Sequence, residues 1–399
     1  MNPAISVVMP THNRSKLLAR VLDAYDRQSG QFPFELLVAD DASSDGTPEL
    51  LRTYRPLRFT LKRIALARNG GPGPARNEAM AQARAPLVLL VGDDIMPARD
   101  FLAQHLAAHD RHPEAHAAIL GRTTWPSDLP VNSLMRHIDG VGGQQFSYGR
   151  VRDGQELDFR HFYTSNVSIK RALLDRVQPW FDPDFVHAAY EDTDLAYRFS
   201  REAGLRVRYV AAAHATHYHP YGVEAFARRQ YKCGLMASVF LRKHPELRSQ
   251  FRTSRLHHLA RLASIPPLRG FLNRLPEADL EVAERRAIEL GAACESREGK
   301  VVDRIYLVLL EYFVLKGMLE GELGAAPAMR PRAALLVFGL LHHLGALVED
   351  TSAQDLATTP AGLALLETSR HYDRVRRQWP RALRFLLLAP IRRMVLPRY

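Results

Sequence analysis

The sequence predicts an α/β protein: a mainly parallel sheet with helices on both faces, followed by an α-helical C-terminal region. Three observations lead there. From Ile5 to about Leu120, short β-rich runs alternate with helical stretches. Those runs are continuously apolar, as strands covered on both faces are. After about Tyr221 the pattern turns helical and stays so to the end. At 399 residues the chain exceeds one compact core. A division into residues 1–234 and 235–399 is expected.

Ile5–Met9, Phe34–Ala39 and Leu87–Val91 are expected strands; Arg14–Asp26, Pro48–Thr53 and Arg76–Ala83 are expected helices. The N-terminus runs straight into Ile5–Met9, too short for a signal-peptide core and without a basic leader, so it reads as a strand. Thr123–Phe162 is richer in Gly, Pro and polar residues and reads as loops and short strands around an acceptor region. Ser168–Arg176 and Thr193–Ala203 are expected helices, and Val207–Ala211 a strand leading into a His-rich stretch. The apolar runs Ile305–Leu319 and Ala333–Val348 fall short of the roughly 20 uninterrupted residues of a membrane-spanning helix. Glu311 and Lys316 break the first, His342 and His343 the second. Both read as buried helices of a bundle.

Lys and Arg total 54 against 43 acids, a formal net charge of +11 that calls for an anionic partner. Basic residues are not interleaved with aromatics on any nucleic-acid reader motif, so nucleic acid is not expected. Cys233 and Cys294 stand far apart without a CxxC spacing, so neither a disulfide framework nor a zinc-thiolate site is indicated, and a reducing, cytoplasmic location is the default expectation.

In a parallel α/β sheet, ligands bind where strands end. Pro10–Arg14, Asp40–Thr47 and Gly92–Pro97 each directly follow an expected strand. In Val38–Thr47, carboxylates of Asp40, Asp41 and Asp45 either accept hydrogen bonds from a uracil N–H or a ribose hydroxyl, or form turn and capping bonds, with Thr47 as cap and Pro48 at the first helical position. Asn69–Asn77 is a Gly/Pro loop entering a helix, either a plain loop or a place where backbone N–H groups and Arg76 meet a phosphate. Gly92-Asp93-Asp94 is sharper. A buried strand ends in two adjacent acids, which repel unless a cation joins them. An ion bridging diphosphate oxygens would supply that charge, and oxygen ligands suit Mg²⁺ or Mn²⁺; the alternative is a solvent-exposed acidic turn. Glu191 and Asp192 open an expected helix, where acids are favoured by the dipole in any case. Service as a general base would need burial or a neighbouring acid to keep one of them basic. His217 and His219, two residues apart, share a face if the chain is extended, and either complete a metal site or are structural.

Taken in order, these segments resemble the family 2 glycosyltransferases over roughly Ile5 to Gly234. The parts that carry the resemblance are Ser6–Arg14, Val38–Thr47, Asn69–Asn77, Gly92–Pro97, Thr164–Arg171, Glu191-Asp192 and His217/His219. The resemblance implies a GT-A fold and inverting, metal-dependent transfer of a sugar from a nucleotide-diphosphate donor, a UDP-sugar by the family's habit, to an acceptor hydroxyl. It implies that Pro10, Thr11, Asn13, Arg14, Asp40, Asp41 and Arg76 line the donor site, with Asp93 at ribose or metal and Asn166 at donor sugar or acceptor. Asp94, with Asp93 and one or both of His217 and His219, would hold Mn²⁺ or Mg²⁺; Asp192, beside Glu191, would be the general base. The acceptor would be a glycan, lipid-linked or other hydroxyl, in glycolipid or cell-envelope polysaccharide synthesis. The family's metal motif commonly reads Asp-x-Asp, and Gly92 stands at its first place, so Asp94 carries the ion more firmly than Asp93. The segment after Gly234 does not continue into the transmembrane helices of the family's processive synthases, which favours a single addition.

From Thr351 to Tyr399 nine arginines face three acids. Arg374, Arg377, Arg381 and Arg384 recur at helical spacing, followed by Phe385–Ala389, Arg392 and Arg393. This tail either lies on an anionic cytoplasmic membrane face or packs on the bundle. A nucleotidyltransferase, or an inactive scaffold of the same fold at a membrane surface, is the competing function.

Overall fold

The alternating first half folds as its pattern predicts, in a computed structural model that describes residues 2–146, 148–251, 253–274, 277–324 and 329–349, with a few positions between 363 and 370. Its elements are β1 (Ile5–Thr11), α1 (Ser15–Asp26), β2 (Phe34–Asp40), α2 (Thr47–Thr53), β3 (Thr60–Ala65), α3 (Pro72–Ala81), β4 (Leu87–Val91), β5 (Ile95–Pro97), α4 (Phe101–Arg111) and β6 (Ala117–Thr124). After a helix α5 (Ser133–Asp139) come β7 (Glu156–Leu157), β8 (Asn166–Lys170), α6 (Arg171–Leu174), α7 (Glu191–Ala203) and β9 (Arg206–His217). The strands form one sheet in the order β3-β2-β1-β4-β8-β6-β9-β5, with β7 also paired to β9.

β3, β2, β1 and β4 run parallel, and β8 enters antiparallel between β4 and β6. Side chains alternate across the sheet and both sides are covered. Val8, Leu37, Val88 and Leu90 pack on Ala75, Ala79 and Met80 of α3 and on Leu195 and Phe199 of α7. Ile5, Val7, Met9, Leu36 and Val38 pack on Leu18, Val21 and Leu22 of α1 and Phe101 of α4. That double cover is why these strands read as continuous apolar runs.

Four local expectations change. Ser168 lies in a strand, since Asn166–Lys170 alternates polar and β-branched residues, and only Arg171–Leu174 of the expected helix Ser168–Arg176 is helical. β3 gave no apolar run because most of its residues are exposed or half-buried at the sheet edge. α3 begins at Pro72, so Arg76 sits within the helix. Thr47 is the first residue of α2 and not its cap; Asp45 Oδ1 accepts the Thr47 N–H at 2.9 Å and Asp45 Oδ2 the Ser15 N–H at 3.1 Å, closing both helix starts.

Two compact units emerge: residues 1–130 with 146–220, and residues 131–145 with 221–399. Residue 234, the expected boundary, lies inside α8 (Val223–Lys243). The second unit is helical, with α5, α8, α9 (Thr253–Ala263), α10 (Pro266–Leu272), α11 (Glu277–Ala293), α12 (Lys300–Leu323) and α13 (Met329–Glu349). Both apolar runs are helices here, and no helix among the described residues is long and apolar enough to cross a membrane. Lys316, which interrupts the first run, pairs with Glu284 of α11 at 2.7 Å. α8 and α12 pack backbone to backbone. A Cβ added at Gly317 would stand 2.0 Å from Tyr231 O, and one at Gly234 2.1 Å from Val314 O. The arginines from Arg374 to Arg393 lie outside the described residues.

Candidate active site

The register of the parallel strands brings the loops after β1, β2 and β4 to one sheet edge, because Thr11 lies beside Asp40 and Val8 beside Leu90. Thr11 Oγ1 therefore reaches Asp93 and donates to its Oδ2 at 2.7 Å. Arg14, from the same β1–α1 loop, donates from Nη1 to Asp94 Oδ2 at 2.9 Å, and its Nε lies 3.7 Å from Asp93 Oδ1.

β9 runs past its expected end and delivers the histidines. His217 Nε2 lies 3.4 Å, and His219 Nδ1 3.1 Å, from the same Asp94 Oδ2. One ligand atom from each of Asp94, His217 and His219 lies within 4.8 Å of the others, a carboxylate and two imidazoles that could hold a divalent cation. Asp93 is not in that set. Burial and then the Asp94 charge raise its pKa to about 6, against the pull of Arg14 and Thr11. Burial works upward on Asp94 too, but His217, His219 and Arg14 outweigh it and hold that carboxyl well below the usual range. Gly92 makes room for the arrangement: a Cβ there would stand 2.8 Å from Asp94 Oδ1.

The remaining expected donor residues are largely engaged with backbone. Asp40 Oδ1 accepts the Ser43 N–H at 3.0 Å, and Asp41 accepts the Gly70 and Gly71 N–H groups at 2.8 Å each. Asn13 Oδ1 accepts the Ser44 N–H at 2.7 Å, tying the β1 and β2 loops together. Pro10 is buried at the end of β1, paired with Ala39. Asn166 is fully buried; its amide nitrogen donates to Ala213 O at 3.0 Å and its oxygen contacts His105 Nε2 at 2.9 Å, so its hydrogen bonds run inside the sheet.

A second corner forms at the start of α7. Arg76 Nη1 donates to buried Glu191 Oε1 at 3.3 Å, so this guanidinium meets a carboxylate of the chain itself. Asp192 accepts the Thr193 N–H at 2.8 Å. Its pKa is nevertheless raised, because burial outweighs the Arg76 charge and the hydrogen bonds from Thr193 and Thr164. Burial thus supplies the basicity that a helix N-terminus alone would remove.

An aromatic row links the two corners, and sequence reasoning missed it. Tyr163, next to Thr164, lies 5.4 Å from Phe146 by ring centroids; Phe146 lies 6.0 Å from His217, and Trp125 stacks on His217 at 5.5 Å and 15°. Aromatics clustered in the aperiodic segment 123–163 were the available signal. Non-glycine residues with positive φ among the described residues are Asn13, Ala42 and Tyr190, each in a loop of this region; Tyr190, at 64°, directly precedes Glu191 and Asp192.

Residues 6–177 match the model of the glycosyl transferase family 2. Validoxylamine A glucosyltransferase of Streptomyces hygroscopicus subsp. jinggangensis is 28% identical over 288 residues, 61% of this chain and 62% of the relative. Chondroitin synthase of Escherichia coli is 28% identical over 250 residues, 55% of this chain and 35% of that enzyme. The chain therefore spans less than two thirds of the length of these curated relatives. Among solved structures, a mannosyltransferase of Pyrobaculum calidifontis, in complex with GDP-Man and Mn²⁺, superposes with a TM-score of 0.50 at 19% identity, over 81% of this chain and 88% of that one, which shows the fold. With the fold, the loop order and the family match in agreement, residues 6–177 carry a glycosyl transferase family 2 domain, and its sheet has the GT-A fold.

Proposed function

We propose that the chain transfers a sugar, with inversion, from a nucleoside-diphosphate donor to an acceptor hydroxyl, and that it needs a divalent cation to do so. The observation that carries this reading is the convergence of Asp94, His217 and His219 on one point at the sheet edge. These residues would hold the ion. Two imidazoles and a carboxylate suit Mn²⁺ better than Mg²⁺, which prefers an all-oxygen shell. When bound, the ion supplies positive charge to the leaving diphosphate.

Asp192, kept basic by burial, takes the acceptor proton as the hydroxyl attacks from the face opposite the leaving group. Arg76 fixes Glu191 beside it. Trp125, Phe146 and Tyr163 offer ring faces and edges suited to a sugar-bearing acceptor. The relatives named above act in glucosyl transfer and chondroitin synthesis, which supports glycan synthesis as the setting. The sequence after Gly234 favours a single addition.

The test is ligand-induced stabilisation. UDP or GDP, each with Mn²⁺, should raise the Tm of the wild type, by about 2.7 kcal/mol in stability at a hundredfold excess over Kd. Asp94→Ala should lose the Mn²⁺-dependent part; an unchanged shift would sink the metal assignment. Binding without turnover of any nucleotide sugar would favour the inactive scaffold, and release of pyrophosphate from a nucleoside triphosphate would favour a nucleotidyltransferase.

We also propose a peripheral position on the cytoplasmic face of a membrane, through the arginines from Arg374 to Arg393. Anionic liposomes should co-sediment the full chain and not a version ending at Asp350. Equal sedimentation of the two would remove the tail from that role.

A further inference from the structure

The cation site already holds a positive group, the guanidinium of Arg14. Its Nη1 donates to Asp94 Oδ2 at 2.9 Å and its Nη2 lies 3.2 Å from His219 Nδ1. Both contacted residues belong to the three-donor cluster, and the contacted His219 nitrogen is the one that faces Asp94 Oδ2 at 3.1 Å. An arginine has no hydrogen-bond acceptor, so the Nη2 contact needs the Nδ1 lone pair turned toward Arg14. The 3.1 Å contact between Nδ1 and Asp94 Oδ2 would need a proton on that same nitrogen. These are alternatives. With the lone pair exposed, the guanidinium bridges an anion and a neutral nitrogen, the two kinds of donor that a metal ion would bridge.

An imidazole nitrogen has one lone pair in the ring plane. Arg14 and a metal ion cannot both use the one on His219 Nδ1, although Asp94 has further lone pairs to share. The Arg14 side chain is 31% exposed, so it has room to leave. It has somewhere to go, since Nε already lies 3.7 Å from Asp93 Oδ1.

We propose that Arg14 is an exchangeable internal counter-ion: it holds Asp94 and His219 together when no metal is bound, competes with the metal for them, and is released from His219 when the metal enters. The released guanidinium presents N–H donors beside the metal, where a diphosphate oxygen would accept them, so metal entry prepares the second contact with the nucleotide. The inference rests on the metal reading above and adds to it a cost of metal binding set by the chain itself.

The experiment is titration with Mn²⁺ alone, followed by the electron paramagnetic resonance signal of the free ion, on wild type, Arg14→Met and Arg14→Lys. Thermal melts with and without Mn²⁺ are run on the same samples. Arg14→Met should bind Mn²⁺ on the order of tenfold more tightly than wild type and gain more Tm from it, since its metal-free form lacks the counter-ion. Arg14→Lys separates bridging from charge. It keeps the positive charge and loses the planar fork, so it should also bind more tightly than wild type, by a smaller factor. Arg14→Lys binding no more tightly than wild type would reduce the effect to electrostatic repulsion and overturn the exchange. Arg14→Met binding no more tightly would overturn it as well. If Mn²⁺ binds wild type and neither variant gains, the Arg14 inference alone falls; if Mn²⁺ binds none of the three, the metal assignment falls with it.

Discussion

Asp192→Asn is expected to lower kcat for sugar transfer by a factor of about 10² to 10⁴, the usual contribution of a general base, or roughly 3–5.5 kcal/mol in the barrier. Mn²⁺ and nucleotide binding should survive, because Asp192 is not in the cation cluster. The pH profile carries a second signature. Burial raises the Asp192 pKa above the ordinary aspartate value of 3.8, so wild-type kcat/KM should rise with pH through that raised value and then level off. The variant should lose this limb. Stability should move the opposite way from activity. A carboxyl whose folded-state pKa is raised binds its proton more tightly in the folded chain than in the unfolded one. Folding stability is therefore lost as pH climbs from the unfolded value through the folded one. Above that window the charged Asp192 destabilises the fold, and asparagine, which keeps an acceptor for Thr193, should melt higher at pH 7. Full activity in the variant would remove Asp192 from the reaction; low activity with a lower Tm would mark it as structural.

Gly317→Leu is expected to cost on the order of 3 kcal/mol or more, since overpacking against immovable neighbours costs that much. The obstacles are main-chain atoms: Tyr231 O at 2.0 Å and Leu235 N at 2.9 Å from the first added carbon. No rotamer change moves them, so α8 and α12 would have to part. Even Gly317→Ala should lower the Tm measurably. Gly270→Ala is the counterpart in the same unit. It lies in α10 with nothing within 4 Å of the added carbon, and should stabilise the helix by about 0.5–1 kcal/mol. Calorimetry that failed to separate the two glycines would contradict the close crossing.

The sheet was legible because double burial writes itself as continuous apolar runs, and the acids at the ends of β2 and β4 stand where those runs stop. Asp94, His217 and His219, which the structure brings together, were singled out from that position and from the order of motifs, as was Asp192. Their partners could not. Arg14 meets Asp94 across 80 residues and His219 across 205, and Arg76 meets Glu191 across 115. Such pairs exist only after the loops close, and no local periodicity foretells them. Likewise, nothing local foretells that the Asp41 carboxylate accepts the Gly70 and Gly71 N–H groups, about thirty residues on, a pairing decided by loop geometry. β8 was misread because a five-residue strand followed by a four-residue helix is too short for either period to declare itself.

The short helix α5 has a consequence for how the chain is made. It is synthesised between two stretches of the sheet-bearing unit, yet its contacts belong to helices far downstream: Ser133 Oγ donates to Cys294 O at 2.7 Å and His137 Nδ1 pairs with Asp303 at 2.7 Å. While the ribosome is still translating, Leu134, Met135 and Ile138 have no surface of their own unit to cover them. The helical unit can therefore close only after α12 has been made, a long-range step that slows assembly and exposes apolar side chains to chaperones in the interval. For the same reason no single cut in the polypeptide releases either unit intact.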